Sequence, residues 1–237
     1  MWPPYHRTRP LAFLHRGDAA FFDPLVAEVV SLRLPLFPYP MEAERPWELL
    51  PCLLPLGFAG MVLAEGVSPP EGVRLEAEAE EAGLVDLVAV GMGGLWGQYT
   101  EGVALERLLS ARFPGAKGLW LGPLRPSLAP FLRPLAQVSV AAPSFAEGDA
   151  FLARLPQRAR GHVALRREEV EALAFRSDLL LYAGGGLPLG LLQPFHALLA
   201  LVPLEPKAFE RVQAVYGRED LWAERVKAVL AGLGYPP

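Results

Sequence analysis

The sequence predicts an α/β protein with mainly parallel sheets. Short apolar runs alternate with helix-patterned stretches along the whole chain, which is how strand–helix–strand units are built. Hydrophobic residues make up 52% and charged residues 20% of the 237, enough apolar material for one large domain or two small ones. The segment Phe113-Pro-Gly-Ala-Lys117 stops a helical stretch with Pro and Gly and reads as a hinge or domain boundary.

Taken in order, residues 10–15 read as a strand, 23–32 as a helix, 35–41 as a strand and 46–56 as a helix. A strand at 58–64 and a helix at 72–82 follow, the acidic run 76–81 forming the solvated face of that helix. Residues 84–90 make the next strand, which returns through a Gly-Gly hairpin as 95–100 into an amphipathic helix at 102–112. The second half begins with a strand at 118–122 and a Pro-rich helical stretch at 126–136. Strand 137–142, helix 146–155, strand 161–165, helix 167–175 and strand 178–183 come next. A glycine turn at 184–186 leads to a strand at 197–203, and helices at 207–215 and 219–230 close the chain with Gly232 as C-cap.

Composition excludes several classes. The net charge is −4 and no long run of Lys or Arg occurs, so a nucleic-acid or anionic-membrane role has no electrostatic footprint. Apolar runs such as 197–204 stay under ten residues, far short of a spanning helix. The first residues, Met-Trp-Pro-Pro-Tyr-His-Arg, carry no apolar leader, so a cytoplasmic protein is expected. A single cysteine, Cys52, excludes an internal disulfide and a multi-cysteine metal site, and its apolar surroundings place it in the core. His6, His15, His162 and His196 show no ligand spacing, so no metal is expected. No Walker loop and no Gly-x-Ser-x-Gly elbow is present. The chain has no Asn and no Ile, and only 3 Lys among its 22 basic residues. This fits a thermophile and fits a GC-rich genome equally well.

The most informative stretch is Leu95-Trp-Gly-Gln-Tyr-Thr-Glu-Gly102, which ends the hairpin and runs into the helix. It resembles the shikimate dehydrogenase strand Gly-x-Asn-Thr-Asp-Gly, with Gly97, Thr100 and Gly102 matching, Tyr99 at the Asn and Glu101 at the catalytic Asp. Leu36-Phe-Pro-Tyr-Pro-Met41, Leu56-Gly-Phe-Ala-Gly60, Ser177-Asp-Leu-Leu-Leu-Tyr-Ala183 and Val202-Pro-Leu-Glu-Pro206 are similar to further family segments in the same order. The resemblance implies an open mixed-sheet substrate domain over residues 1–113, with residues 207–237 packing back on it. A Rossmann-like, NADP-type domain is implied over 114–206, with a small-molecule ligand between the two.

Carried over position by position, the resemblance assigns a catalytic role to Glu101 and substrate contacts to Asp18, Ser68, Tyr99 and Thr100. Gly122, Arg125, Ser144, Gly184 and Gly185 fall at cofactor-binding places. The residues themselves depart from the family at each. Asp18 and Ala20 stand where the family holds a carboxylate with two serines, and Asp18 reads more simply as a residue that begins or caps the following helix. Arg16 and His15 lie beside it and could hold an anion. Ser68 stands near the place of the family's lysine, and no lysine precedes Lys117. Glu101 reads equally as a base and as the first-turn acid of its helix. Pro123 and Pro126 remove two N–H donors that a pyrophosphate would use, although Arg125 and Ser127 offer side-chain donors. Ala142-Pro-Ser144 lacks the arginine that pairs with a 2′-phosphate. The Gly184–Gly185 turn either admits a ligand or is simply a flexible turn. Tyr99 should fill part of the cleft if it points there, its hydroxyl seeking Asp18 or Glu101.

Two functions follow. The residues favour a relative that has lost hydride transfer, needs no cofactor and acts as a ligand- or partner-binding module. The resemblance itself implies an NADP-dependent shikimate dehydrogenase, or one acting on a related hydroxy acid.

Overall fold

The computed structural model describes residues 8–235; the leader reading of the first residues and His6 lie outside them. The chain divides into two units. Unit 1 holds residues up to Val103 together with those from Arg225 onward, and unit 2 holds Ala104–Glu224.

Unit 1 is built from β1 (Arg9–His15), α1 (Phe22–Ser31), β2 (Leu36–Glu42), a 3-10 turn Pro46–Leu49 with α2 (Leu50–Leu53), β3 (Gly60–Val67), β4 (Arg74–Leu75), α3 (Ala77–Ala82), β5 (Val85–Gly91) and β6 (Gly94–Gln98). The helix α4 (Thr100–Arg112) starts here and continues into unit 2. The sheet order is β2-β1-β3-β5-β6-β4. Strands β1, β2 and β3 run parallel, while β5 is antiparallel to both β3 and β6, so the sheet is mixed. Phe13, Met61, Val62, Leu87 and Val88 are fully buried on it. Strand β2 is an edge, and Pro38 and Pro40 withhold two N–H donors that could recruit a further strand.

Unit 2 contains β7 (Lys117–Leu121), a 3-10 helix Pro126–Leu132, β8 (Gln137–Ala141), α5 (Phe145–Ala153), β9 (Arg160–Ala164), α6 (Arg167–Ala174), β10 (Leu179–Tyr182), β11 (Ala197–Ala200), β12 (Ala214–Tyr216) and the start of α7 (Arg218–Gly232). Every pairing in its sheet, order β12-β11-β10-β7-β8-β9, is parallel. The chain winds outward from β7 to β9 and then crosses back to β10, so the strand order reverses between β7 and β10. At such a switch point a doubly wound sheet leaves a crevice outside its strand carboxyl ends. Trp120, fully buried on β7, packs 5.2 Å from Phe151 of α5.

Several predicted elements change. The helix expected at 72–82 is a short β4 followed by α3, because Arg74 and Leu75 pair with Trp96 and Gly97 of β6. The helix at 46–56 shrinks to a 3-10 turn plus four residues, with Leu53 the buried side chain of α2; Cys52 is exposed, not in the core, since so short a helix buries only one side. Residues 126–136 form only a 3-10 helix as far as Leu132, with Pro130 inside it, because prolines cannot donate to an α-helical ladder. The helix expected at 207–215 is a 3-10 helix, Pro206–Arg211, followed by β12, which pairs with the open edge of β11. Gly232 is the last helical residue of α7 and not its cap. Gly234 (φ +85°) takes that part, with Gly234 N–H donating to Ala231 O and Tyr235 N–H to Leu230 O.

Candidate functional site

The hairpin β5–β6 delivers Tyr99, Thr100 and Glu101 to the start of α4, and a residue the sequence reading passed over holds them there. Asp86 on β5 is fully buried. Its Oδ1 accepts the Thr100 N–H at 2.6 Å and the Thr100 hydroxyl at 2.9 Å, and its Oδ2 accepts the Glu101 N–H at 2.8 Å. A carboxylate from a neighbouring strand thus satisfies donors that a helix N-terminus otherwise leaves open. Burial pushes the Asp86 carboxyl above its ordinary value, against the downward pull of Arg225, the two N–H groups and the Thr100 hydroxyl.

Arg225 of α7, 4% exposed, supplies the countercharge at 3.1 Å from Asp86. Its guanidinium also donates to Leu63 O at 2.7 Å, Ala64 O at 3.0 Å and Thr100 Oγ1 at 3.3 Å, and lies 4.4 Å over the Phe21 ring. A lone Asp inside the apolar run Leu84-Val-Asp-Leu-Val-Ala-Val90 was the available signal, since a buried charge demands a partner. Nothing local marks Arg225 as that partner.

Tyr99 is fully buried, and its hydroxyl donates to Glu101 Oε2 at 3.1 Å. Its ring lies against Gly66 of β3, where a Cβ would sit 2.8 Å from Cε2, so β3 has room for this tyrosine only as glycine. Thr100 is spent on Asp86 and Arg225.

Asp18 and Ser68 lie at the carboxyl ends of β1 and β3. Asp18 does not cap α1, whose N-cap residue is Phe21; its Oδ1 accepts the Ala20 N–H at 2.8 Å and shapes the preceding turn. It lines a small cavity of about 40 Å³ with His15, Arg16, Leu63 and Glu65. The Nδ1 of His15 is there the one buried side-chain polar atom among the described residues without a hydrogen-bond partner. An adjoining, open cavity of about 600 Å³ contains Ser68, Arg45 and Trp47, and both cavities share Arg16, Pro46 and Val67. Ser68 is exposed there and its carbonyl accepts the Trp47 indole N–H at 3.1 Å. Asp18 and Ser68 are therefore brought near one another, whereas Tyr99, Thr100 and Glu101 line neither cavity.

In unit 2, Gly122 (φ +96°) ends β7 at the switch point. A Cβ there would meet Gly184 O at 2.2 Å, because the loop after β10 passes directly against it. The Trp120 indole donates to Pro123 O at 3.0 Å and holds the loop down. Arg125 is the N-cap residue of the 3-10 helix and offers no side-chain cap to it. Ser144 caps α5, its hydroxyl accepting the Glu147 N–H at 3.3 Å and donating to Glu147 Oε1 at 3.0 Å. Gly185 O accepts the Tyr182 hydroxyl, which ties the glycine turn to β10. No group of three or more His, Cys, Asp or Glu among the described residues is placed to hold a metal ion. No helix among them is long and apolar enough to cross a membrane.

The comparisons decide the fold. A shikimate 5-dehydrogenase from Listeria monocytogenes, solved with shikimate and NAD, superposes with a TM-score of 0.79 at 13% identity, over 99% of this chain and 94% of that one. The chain has the shikimate dehydrogenase fold. A quinate dehydrogenase from Corynebacterium glutamicum, solved with NAD, matches at 0.77 and 15% identity over 95% of this chain and 93% of that one. A shikimate 5-dehydrogenase-like protein matches at 0.76 and 12% identity, over 98% and 94%. No protein-family model matches the chain, and no curated protein matches it in sequence. Within the shikimate dehydrogenase fold, unit 1 is the mixed-sheet domain and unit 2 the Rossmann-like one.

Proposed function

We propose that this chain is a shikimate dehydrogenase-like protein that has given up hydride transfer and works as a ligand-binding module. One observation carries the reading: at the switch point, where a dinucleotide's pyrophosphate would need backbone donors, the loops after β7 and β10 lie directly against each other. Gly122 and Gly184 meet there, Pro123 and Pro126 contribute no N–H, and the following helix is seven residues of 3-10 geometry. Ser144, at the place of a phosphate contact, is occupied as a helix cap. The ligand of this reading enters the cavities beside His15, Asp18 and Ser68, at the carboxyl ends of parallel strands, where His15 Nδ1 is buried without a hydrogen-bond partner.

Titration calorimetry of the full chain with NADP tests the proposal. No heat of binding is expected at physiological cofactor concentrations. Micromolar affinity, roughly −8 kcal/mol, overturns it and restores the second reading, an NADP-dependent dehydrogenase of shikimate or a related hydroxy acid. That second reading has its own support in Glu101, which keeps the hairpin position beside the Tyr99 hydroxyl.

A further inference from the structure

Six of the twelve large apolar side chains exposed among the described residues gather at one end of the unit 1 sheet. Strands β1, β2 and β3 run parallel, so the α1–β2 turn and the loop before β3 both lie at their amino ends. Because β5 runs antiparallel to β3, the turn of the β5–β6 hairpin reaches the same end. Arg9 ties the first two together: its N–H donates to Pro35 O at 2.9 Å and its guanidinium to Gly57 O and Phe58 O. The hairpin joins them where Val90 N–H donates to Ala59 O at 3.0 Å. Val30, Leu32 and Phe37 flank the first turn, Leu54 and Leu56 lie on the second loop, and Met92 tips the hairpin. Met92 is fully exposed and the other five are 46–69% exposed. This end lies opposite the strand carboxyl ends, where the ligand of the proposed function enters.

Area and charge narrow the partner. The six side chains expose roughly 700 Å², more than the ~300–600 Å² of the largest apolar patch on an ordinary monomer and close to the ~800 Å² that each partner gives a standard interface. The stretches 29–41, 49–64 and 87–98 contain no Asp or Glu, and Arg33 is their only charged residue. Such depletion of charge marks the core of an interface rather than solvated surface. One arginine, in a chain of net charge −4, gives an anionic bilayer little to hold. A transient partner would leave the patch bare between encounters, whereas a second copy is present wherever the chain is. We propose that this end of unit 1 is a homodimer interface, the three loops of one copy packing on the same loops of another about a two-fold axis. Contact of this kind sets apolar tips on apolar tips and asks for no counter-charge. Pro38 and Pro40 keep the edge strand β2 from extending it by strand addition, so the assembly closes at two.

Sedimentation equilibrium of the full chain, from about 1 to about 100 µM, tests the proposal. A dimer with a dissociation constant below about 10 µM is expected from a contact of this size. Met92→Asp and Leu56→Asp should each weaken it at least about tenfold, with the far-ultraviolet circular dichroism of the wild type retained. Phe175→Asp, at an exposed aromatic of unit 2 outside this face, should leave the dimer intact. A wild-type chain that stays monomeric at the highest concentration overturns the proposal, and so does a dimer indifferent to both aspartates of unit 1. A monomer recovered on anionic phospholipid vesicles would assign the face to a membrane and overturn it as well.

Discussion

Replacing Arg225 with methionine keeps an apolar stem of similar length and removes the charge that faces Asp86. The carboxylate is fully buried and the guanidinium 4% exposed, so solvent replaces little of what is lost. Leu63 O and Ala64 O also lose their guanidinium donors. Breaking a buried pair by removing one partner costs about 3–5 kcal/mol. Three remaining donors from Thr100 and Glu101 to Asp86 place the expected loss near ~3 kcal/mol. That is a large share of the roughly 5–15 kcal/mol that holds a domain folded. Urea unfolding followed by far-ultraviolet circular dichroism reads it as a midpoint lowered by about 1–3 M.

The pH dependence of the variant has a defined sign. Arg225 pulls the Asp86 carboxyl down while burial raises it, so removing Arg225 lets the folded-state value rise further above the unfolded one. An acid raised in this way is accommodated when protonated, and the stability it leaves intact at low pH is lost as pH rises through the folded value. Arg225→Met should therefore be less damaging at pH 5 than at pH 8. Adding Asp86→Asn should recover part of the loss, with a coupling above about 1 kcal/mol. A midpoint shift worth under 1 kcal/mol, or two single losses that simply add, would refute the reasoning.

Three further outcomes are expected. Gly122→Ala should destabilise by about 2–3 kcal/mol in a thermal melt, since φ is +96° and the new methyl would meet Gly184 O at 2.2 Å; an unchanged melt would mean that the β7 and β10 loops are not in contact. Arg33, exposed at φ +51° just after α1, stands where helices favour glycine, so Arg33→Gly should gain about 0.5–1 kcal/mol by urea unfolding, and a loss would contradict the strain. His196 is buried, with Nε2 2.8 Å from Ala174 O and Nδ1 accepting the Gln193 N–H, and burial lowers its pKa from 6.5. The unfolded state then binds the proton first, so stability should fall as pH drops below about 6.5. His196→Gln should flatten that slope between pH 7.5 and 5.5, and an equally steep slope would assign the effect elsewhere.

Local chemistry made much of this legible in the sequence. The apolar runs that became β1, β3, β5, β7, β8 and β10 announce strands because each buries side chains on its sheet whatever its partner. The hairpin and Glu101's place in the first turn of α4 follow from glycines and helix polarity, which act within a few residues. Asp86 was visible only as an anomaly, a charge in an apolar strand. Its partner lies on a helix near the other end of the chain, and Arg225 reaches Thr100 across 125 positions, so the pairing exists only after the chain has folded. The same holds for β12 and β4, segments with helical patterns that became strands because an open sheet edge offered them hydrogen bonds. Gly122 reads from the sequence as the surviving glycine of a phosphate loop; the fold sets it against Gly184. Sequence determined which segments must be buried, because that depends on each residue's own chemistry; tertiary structure decided which polar groups and backbones meet, because that depends on neighbours the local pattern does not contain.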